Sequence, residues 1–320
     1  MSLETFWFVV VAFFWTGFFV LEGFDFGVGV LHTVVGRDER GRRTALAAIG
    51  PFWDGNEVWL IVAGASMFAA FPAWYATLFS GLYLALLLVL VALIARGVAF
   101  EFGEKVTSPR WRRTWTWAAT LGSGAIPLLL GIGLGGMVAG FPIDADGEFT
   151  GNFADIFTAY GVWTGLTLLS LSTLHGAAFL ALKTHGAVRE RSRAVGVRVW
   201  LATLVASVVF AAWSPAVLSV LAAVAVLAAG ALLRAGREGW AFSATAAAMA
   251  ATLSSLFVDL YPNVLISSTD AAYNLTVSGA ASGSYALKVM TVAAAVFVPL
   301  VLLYQGWTYR VFRARVHDSA

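Results

Sequence analysis

Residues 6–33 read FWFVVVAFFWTGFFVLEGFDFGVGVLHT. This stretch is longer than the roughly 20 apolar residues that an α-helix needs to cross a bilayer. A secretory signal peptide would have a basic segment at its start and a small-residue cleavage site, and this stretch has neither. It also contains Glu22 and Asp25. The stretch is therefore predicted to be a retained transmembrane helix that carries two carboxyl groups.

The composition of the whole chain agrees with a membrane protein. Of its 320 residues, 60% are hydrophobic and only 12% are charged, and the mean hydropathy is +0.82. Soluble domains carry about a quarter charged residues, so lipid is the expected solvent. The absence of cysteine excludes disulfides and thiolate metal sites. The net charge of +2 argues against nucleic acid as a partner.

Nine segments are long and apolar enough to span a bilayer, which predicts an all-α, polytopic membrane protein. The nine segments cover residues 5–35, 45–70, 76–101, 114–140, 157–183, 194–213, 215–233, 239–259 and 284–309. We expect one integral membrane domain over residues 1–320. It would consist of a first four-helix bundle (1–140), a second four-helix bundle (157–259) and a peripheral final helix (284–309).

The basic residues predict the orientation of these helices. Every lysine and arginine except Lys288 lies after, or at the end of, an odd-numbered segment. Because cytoplasmic loops carry the excess of basic residues, the N-terminus is predicted to lie outside and the C-terminus in the cytoplasm.

Two pairs of acids lie inside predicted membrane segments. Glu22 and Asp25 belong to the first segment, and Asp54 and Glu57 belong to the second. A spacing of three residues places both members of a pair on one helix face. Counted along each helix, Asp25 and Asp54 are expected about 15 Å from the cytoplasmic surface. Charges at that depth are costly and usually functional.

The third segment adds one basic and one acidic group to this set. It ends at Glu101, near the cytoplasmic surface, and Arg96 lies about one turn further into the membrane. Arg96 is the obvious counter-charge for the four acids. Desolvation and mutual repulsion should then let some of the acids exchange protons near neutral pH, which a proton relay requires. The alternative is that the acids cap or hydrogen-bond helices and have a structural role.

Two further features concern polar groups in the membrane. The second segment contains Pro51, Gly55 and Asn56, so it should be distorted, and Asn56 must find a partner within the hydrocarbon. His175 in the fifth segment is the candidate haem ligand or proton carrier. A lone membrane histidine more often serves hydrogen-bonded packing, and no two histidines share a helix face at ligand spacing. No metal site is predicted.

Several of these stretches resemble subunit II of cytochrome bd-type quinol oxidases. The similar stretches are residues 23–29 (GFDFGVG), 50–60 (GPFWDGNEVWL), 79–83 (FSGLY), 96–101 (RGVAFE) and 175–177 (HGA). The resemblance extends over the whole chain, and its specific motifs are concentrated in residues 20–105. The motif at 50–60 is the most specific of them.

The resemblance implies a heterodimer in the cell membrane of a bacterium or archaeon. The partner, subunit I, would hold haem b and haem d, oxidise quinol near the outer face and reduce oxygen to water, while this chain ligates no haem. Small single-helix accessory subunits, lipid contacts and a structurally bound quinone are also implied, with no residues assigned to the quinone.

The resemblance also implies roles for particular residues. The family's cytoplasmic proton path falls here on Asp25, Asp54 and, at its mouth, Glu101, a position that is often Asp in relatives. Four further residues are expected to support this relay: Glu22, Glu57, Asn56 and Arg96.

Two other function classes remain open from the residues alone. A proton-coupled secondary transporter also has acids near the midplane and broken helices. Against it, the acids cluster in one bundle, and the second half shows no matching broken helix. The third class is a structural membrane subunit without a proton role.

Reporter fusions test the predicted topology. A reporter fused after Arg315 should behave as cytoplasmic, and one inserted near Gly147 should behave as external, because the basic residues cluster on the side of Arg315. Paired alkaline phosphatase and fluorescent-protein fusions at both sites provide the measurement. The reverse pattern would overturn the nine-helix, N-outside topology.

Overall fold

The fold is built almost entirely from helices, with a small antiparallel sheet in one loop. A computed structural model describes residues 1–103, 105–106, 108–214 and 216–316. Within these ranges lie eleven α-helices and two strands. The helices are α1 (Leu3–Val35), α2 (Glu39–Ile49), α3 (Trp53–Ala70), α4 (Pro72–Gly81), α5 (Tyr83–Phe102), α6 (Pro109–Ala139), α7 (Ala159–Lys183), α8 (Gly186–Trp213), α9 (Val217–Arg234), α10 (Glu238–Leu260) and α11 (Ser284–Val311), and the strands are β1 (Asn263–Leu265) and β2 (Leu275–Thr276).

The prediction of an all-α membrane protein is confirmed. Among the described residues, eight helices are long and apolar enough to cross a membrane, namely α1 and α5 to α11. The one predicted segment without such a helix is the second, 45–70, which contains α3, whose 18 residues include Asp54, Asn56 and Glu57. These three polar side chains lie in its first turns and lower its apolar character, so length and composition alone do not mark α3 as a span.

The second predicted segment is wrong as a continuous helix over 45–70. α2 ends at Ile49, and α3 begins at Trp53. Pro51 lies between them, where it has no N–H to donate to a helix. The third predicted segment is also longer than expected and divided, since α4 and α5 meet at Leu82. The first break matters for the site, because it places residues 53–57 at the start of a helix.

Helices α1 and α7 pack against each other at the centre of the protein. Their backbones approach most closely at Gly27 and Gly176. A Cβ added to Gly176 would lie 2.4 Å from the carbonyl carbon of Gly27, and one added to Gly27 would lie 2.0 Å from the carbonyl oxygen of Ser172. Only glycine allows this approach, as in other tightly packed membrane helices. Most residues in the C-terminal half of α1 are therefore buried.

Helix α6 packs on α7 through a second set of glycines. Gly131 faces Gly165, and Gly135 faces Gly161 and Thr164. These small residues let the backbones of α6 and α7 approach closely. Because α7 contacts both α1 and α6 at backbone distance, it joins the N-terminal helices to those that follow it.

Helix α11 lies at the periphery. Leu287 is the one residue of this fully described helix that is buried. Its C-terminal end is held by Lys183, whose Nζ donates to the carbonyl oxygens of Phe312 and Ala314, the latter at 2.8 Å. The backbone N–H of Val316 donates in return to the carbonyl oxygen of Lys183 at 2.7 Å. These bonds fix the end of α11 to the end of α7.

The loop around Asp144 and the loop over residues 261–283 meet at the end of the bundle opposite the C-terminal end of α11. Phe141 donates its backbone N–H to Ile266 at 3.0 Å and accepts one from Ser268 at 2.8 Å. Strands β1 and β2 pair within the second of these loops. The acidic loop around Asp144 and the polar loop around 261–283 thus form one surface.

Substituting a single glycine tests the central packing. Gly176→Ala should lower the free energy of unfolding by about 2 kcal/mol, because its Cβ has no space beside the α1 backbone. Gly124→Ala is the matched control, since a Cβ there meets only ordinary contacts at 3.7 and 3.9 Å. Thermal unfolding of the purified protein is the measurement. Equal stability of the two variants would contradict the close approach of α1 and α7.

Candidate functional site

An ion pair buried between α1 and α5 forms the centre of the site. Nη1 of Arg96 lies 2.5 Å from Oε1 of Glu22, and both side chains are fully buried. The same nitrogen lies 3.7 Å from Oε2 of Glu57 on α3, whose side chain is 24% exposed. One guanidinium group therefore lies between two carboxyl groups. Removing one charge from a buried pair leaves the other charge buried without its counter-charge, so each member of this group depends on the others.

A second buried group lies beside it, around Asn56. The Nδ2 of Asn56 donates to Oδ2 of Asp25 at 2.7 Å and to the carbonyl oxygen of Leu21 at 3.0 Å. Its Oδ1 accepts from Nε2 of Gln305 at 2.7 Å and lies 3.4 Å from the hydroxyl of Tyr309. The amide thus links α1, α3 and α11, and it finds the partners that the sequence required.

Local structure explains why these side chains meet. Glu22 and Asp25 lie one turn apart on α1, so both face the interior. Asn56 belongs to the first turn of α3, which starts only after the break at residues 50–52. The guanidinium carbon of Arg96 lies 4.9 Å from the ring centre of Phe26 and 5.1 Å from that of Phe100. These aromatic faces support the cation where water is excluded.

Several polar atoms of the site have no hydrogen-bond partner among the described residues. They are both carboxyl oxygens of Glu22, Oδ1 of Asp25 and the three guanidinium nitrogens of Arg96. The Glu22–Arg96 contact is therefore a close approach of charges without an aligned hydrogen bond. Buried polar atoms in native proteins are almost always satisfied by protein or by ordered water. This site consequently retains hydrogen-bonding capacity that the described protein groups do not use.

The depth expected for Asp54 was counted along an unbroken helix from residue 45, and that helix is broken before Trp53. Asp54 lies in the first turn of α3, and its side chain is exposed on the surface of this chain. Glu101 is the penultimate residue of α5, and its side chain is also exposed. The acids therefore range from exposed Asp54 and Glu101, through partly buried Glu57, to the fully buried pair on α1.

His175 is engaged in packing. Its Nδ1 lies 2.6 Å from the hydroxyl of Thr245, and its Nε2 lies 3.2 Å from the carbonyl oxygen of Val20. The ring also stacks on Phe242, with 4.4 Å between the centroids. Both ring nitrogens thus have protein partners. In the described ranges, no three His, Cys, Asp or Glu side chains are placed to hold a metal ion.

Sequence reasoning missed the contribution of α11 to the site. Gln305 and Tyr309 reach Asn56 from a helix more than 240 residues away in the chain. A glutamine inside an otherwise apolar membrane segment is itself unusual and could have indicated an inward-facing group. Its partner could not have been named, because the spacing along the chain contains no information on that contact.

Comparisons with known proteins find similar chains over almost the whole length of this one. Residues 3–312 match the family model of cytochrome bd terminal oxidase subunit II. The chain is 41% identical to cytochrome bd ubiquinol oxidase subunit 2 of Bacillus subtilis, over 98% of this chain and 97% of the relative. It is 32% identical to cytochrome bd-I ubiquinol oxidase subunit 2 of Escherichia coli K12, over 96% and 93%.

A solved structure shares the fold. It is a chain of the bd oxidase from Geobacillus thermodenitrificans, with a TM-score of 0.80, 21% sequence identity, and coverage of 98% of this chain and 99% of that chain. At this level of identity the match supports the architecture alone.

A substitution of His175 tests its packing role. His175→Ala should leave the haem content of the purified complex unchanged, because both ring nitrogens are bonded within this chain. Thr245→Val is the companion variant, since it removes one of these bonds and keeps the ring. Reduced-minus-oxidised spectra with a subunit count provide the measurement. Loss of one haem from a His175→Ala complex that still assembles would show that the histidine is a ligand.

Proposed function

The chain belongs to the family of subunit II of cytochrome bd terminal oxidases, and we propose that it supplies cytoplasmic protons for the reduction of oxygen. It is a multi-pass protein of a bacterial membrane and a subunit of a quinol oxidase complex. Membership of this family sets aside the transporter alternative. The question that remains is what this subunit contributes.

We place the reaction in the partner subunit. Oxygen takes up four electrons and four protons to form two molecules of water, and two quinols supply the electrons. Subunit I would hold haem b and haem d and carry out both half-reactions. If the protons for water come from the cytoplasm while quinol protons leave on the outer side, turnover builds a proton-motive force without a pump.

The residues that the structure describes do not fit a haem. His175 is its only histidine within a described membrane helix away from the helix ends, and both of its ring nitrogens are engaged. We therefore assign no haem-dependent step to this chain. A structural quinone and small accessory subunits remain part of the proposal at the level of the family.

The observation that carries the proton role is the charge balance of the buried group. Glu22 and Asp25 are fully buried and Glu57 is partly buried, yet among the described residues Arg96 is the one guanidinium group beside them. A bare carboxylate in a low-dielectric interior is very costly. The group is best neutralised when carboxyl groups share protons, and such a group can pass a proton along with little change in total charge.

The exposed acids connect the buried group to the surface of the chain. Glu101 lines a cavity at the end of the bundle where Arg42 and Arg112 lie, and Asp54 lies one turn before Glu57 on α3. We assign Glu101 and Asp54 to the surface and Glu57 to the step into the interior. Glu22 and Asp25 are the buried carriers, and Asn56 positions the Asp25 carboxyl group without titrating.

Isosteric amides test the relay. Asp25→Asn should lower quinol-driven oxygen consumption at least tenfold, about 1.4 kcal/mol in barrier, because an amide cannot carry the proton. Asp54→Asn and Glu101→Gln should each have a milder effect, since both side chains are exposed and water at the surface can substitute for them. Asp54→Glu should keep more activity than Asp54→Asn, because it retains a titratable group.

The controls separate proton transfer from folding. Glu190→Gln removes an exposed carboxyl group from α8 at the same end of the protein and should leave the rate unchanged. Each variant is checked for assembly and full haem content before its rate is compared. An Asp25→Asn complex that contains all haems and respires at the wild-type rate would refute the relay and leave the acids a structural role.

A further inference from the structure

Gln305 is a half-buried polar residue of the mostly exposed helix α11, and its amide reaches the buried group around Asn56. We propose that Gln305 is a positioning residue of the proton relay. It orients the amide of Asn56, which in turn holds the carboxyl group of Asp25. The proposal rests on the proton role of Asp25 proposed above, and the experiment below separates the two.

The orientation of the Asn56 amide is determined from two sides. On α1, the carbonyl oxygen of Leu21 can only accept a hydrogen bond, so the amide atom 3.0 Å from it is the nitrogen, Nδ2. The same nitrogen donates to Oδ2 of Asp25 at 2.7 Å. Oδ1 of Asn56 consequently faces α11, where Nε2 of Gln305 donates to it at 2.7 Å.

Oδ1 of Asn56 depends on α11 for its hydrogen bond. The side chain of Asn56 is fully buried, and a buried acceptor without a donor is costly. The hydroxyl of Tyr309 lies 3.4 Å from the same oxygen, which is a weaker contact than the bond from Gln305. Without Gln305 the amide would turn towards another donor, and Asp25 would lose the hydrogen bond from Nδ2.

The bond from Asn56 leaves one oxygen of Asp25 for the proton. Oδ2 accepts from Nδ2 of Asn56, while Oδ1 makes no hydrogen bond to a described residue. Proton transfer requires donor and acceptor atoms within hydrogen-bond reach, directly or through one water. With Oδ2 held by Asn56, the carboxyl plane is fixed, and Oδ1 takes up and releases the proton at a defined position.

The part of α11 that carries Gln305 is fixed to the bundle. The ring of Tyr309, one turn after Gln305, stacks on Phe52 in the break between α2 and α3, with 4.8 Å between the ring centres. Lys183 at the end of α7 donates to two carbonyl oxygens at the end of α11. A helix that is otherwise largely exposed can therefore place one amide accurately against Asn56.

Single-turnover proton uptake by the intact oxidase complex tests the role of Gln305. The reduced, haem-loaded complex in vesicles is mixed with oxygen, and the haem spectra and a pH-sensitive dye on the cytoplasmic side are recorded together. Gln305→Met removes the donor and keeps the length of the side chain. It should slow proton uptake about fivefold, the factor that corresponds to one hydrogen bond, and leave the initial reaction of the haems with oxygen unchanged.

Thr291→Val is the matched control. The hydroxyl of Thr291 accepts from Nε1 of Trp7 at 3.0 Å, so this variant also removes a hydrogen bond between α11 and α1, roughly 20 Å from Gln305 along the helix axis. Trp7 keeps its second bond, to the carbonyl oxygen of Leu287. Proton uptake by Thr291→Val should keep the wild-type rate, because the Asn56 amide is unaffected.

A double variant shows whether Gln305 acts through Asp25. In a complex that already carries Asp25→Asn, the further change Gln305→Met should cause no additional slowing. Additional slowing would overturn the proposal, and so would equal slowing by Thr291→Val and Gln305→Met, which would indicate general packing of α11.

The single variants separate this proposal from the relay itself. Wild-type uptake in Gln305→Met together with slow uptake in Asp25→Asn would overturn the role of Gln305 and leave the relay intact. Wild-type uptake in both variants would overturn the relay and, with it, the role of Gln305.

Discussion

The buried ion pair between Glu22 and Arg96 constrains the rest of the structure. Hydrocarbon cannot solvate either charge, so the helices that carry the two charges must stay together. Nearby polar groups must offset the rest of the cost of burying them. α1 is held from its other side by α7, where Gly27 and Gly176 let the two backbones touch. The pair can therefore lie at the centre of the N-terminal helices instead of at a lipid-facing surface.

The break between α2 and α3 places polar side chains between the buried ion pair and the surface of the chain. Because α2 stops before Pro51 and α3 begins at Trp53, the polar residues of α3 lie in its first turns, close to a protein surface. Asn56 reaches inward to Asp25, while Asp54 on the same turn is exposed. The break thus sets a gradient of burial over a few residues, which a proton path needs and a purely structural ion pair does not.

The sequence predicted the composition of the site better than its geometry. The spacing of Glu22 and Asp25 placed them on one face, and Arg96 was the obvious counter-charge, because charges in a membrane segment have few alternatives. The continuous helix along which the depth of Asp54 was counted was wrong, since α2 ends at Ile49 and its end depends on local packing around the proline. Gln305 was missed as a partner of Asn56, because a contact between α3 and α11 has no local signal in the sequence.

A single-turnover measurement shows whether the protons for water enter through the buried acids of this chain. The fully reduced complex is reconstituted in vesicles with a pH-sensitive dye on its cytoplasmic side and is then exposed to oxygen. Asp25→Asn should leave the initial reaction of the haems with oxygen at the wild-type rate and should slow the proton uptake seen by the dye at least tenfold. Proton uptake at the wild-type rate in a fully haem-loaded Asp25→Asn complex would contradict proton entry through these acids.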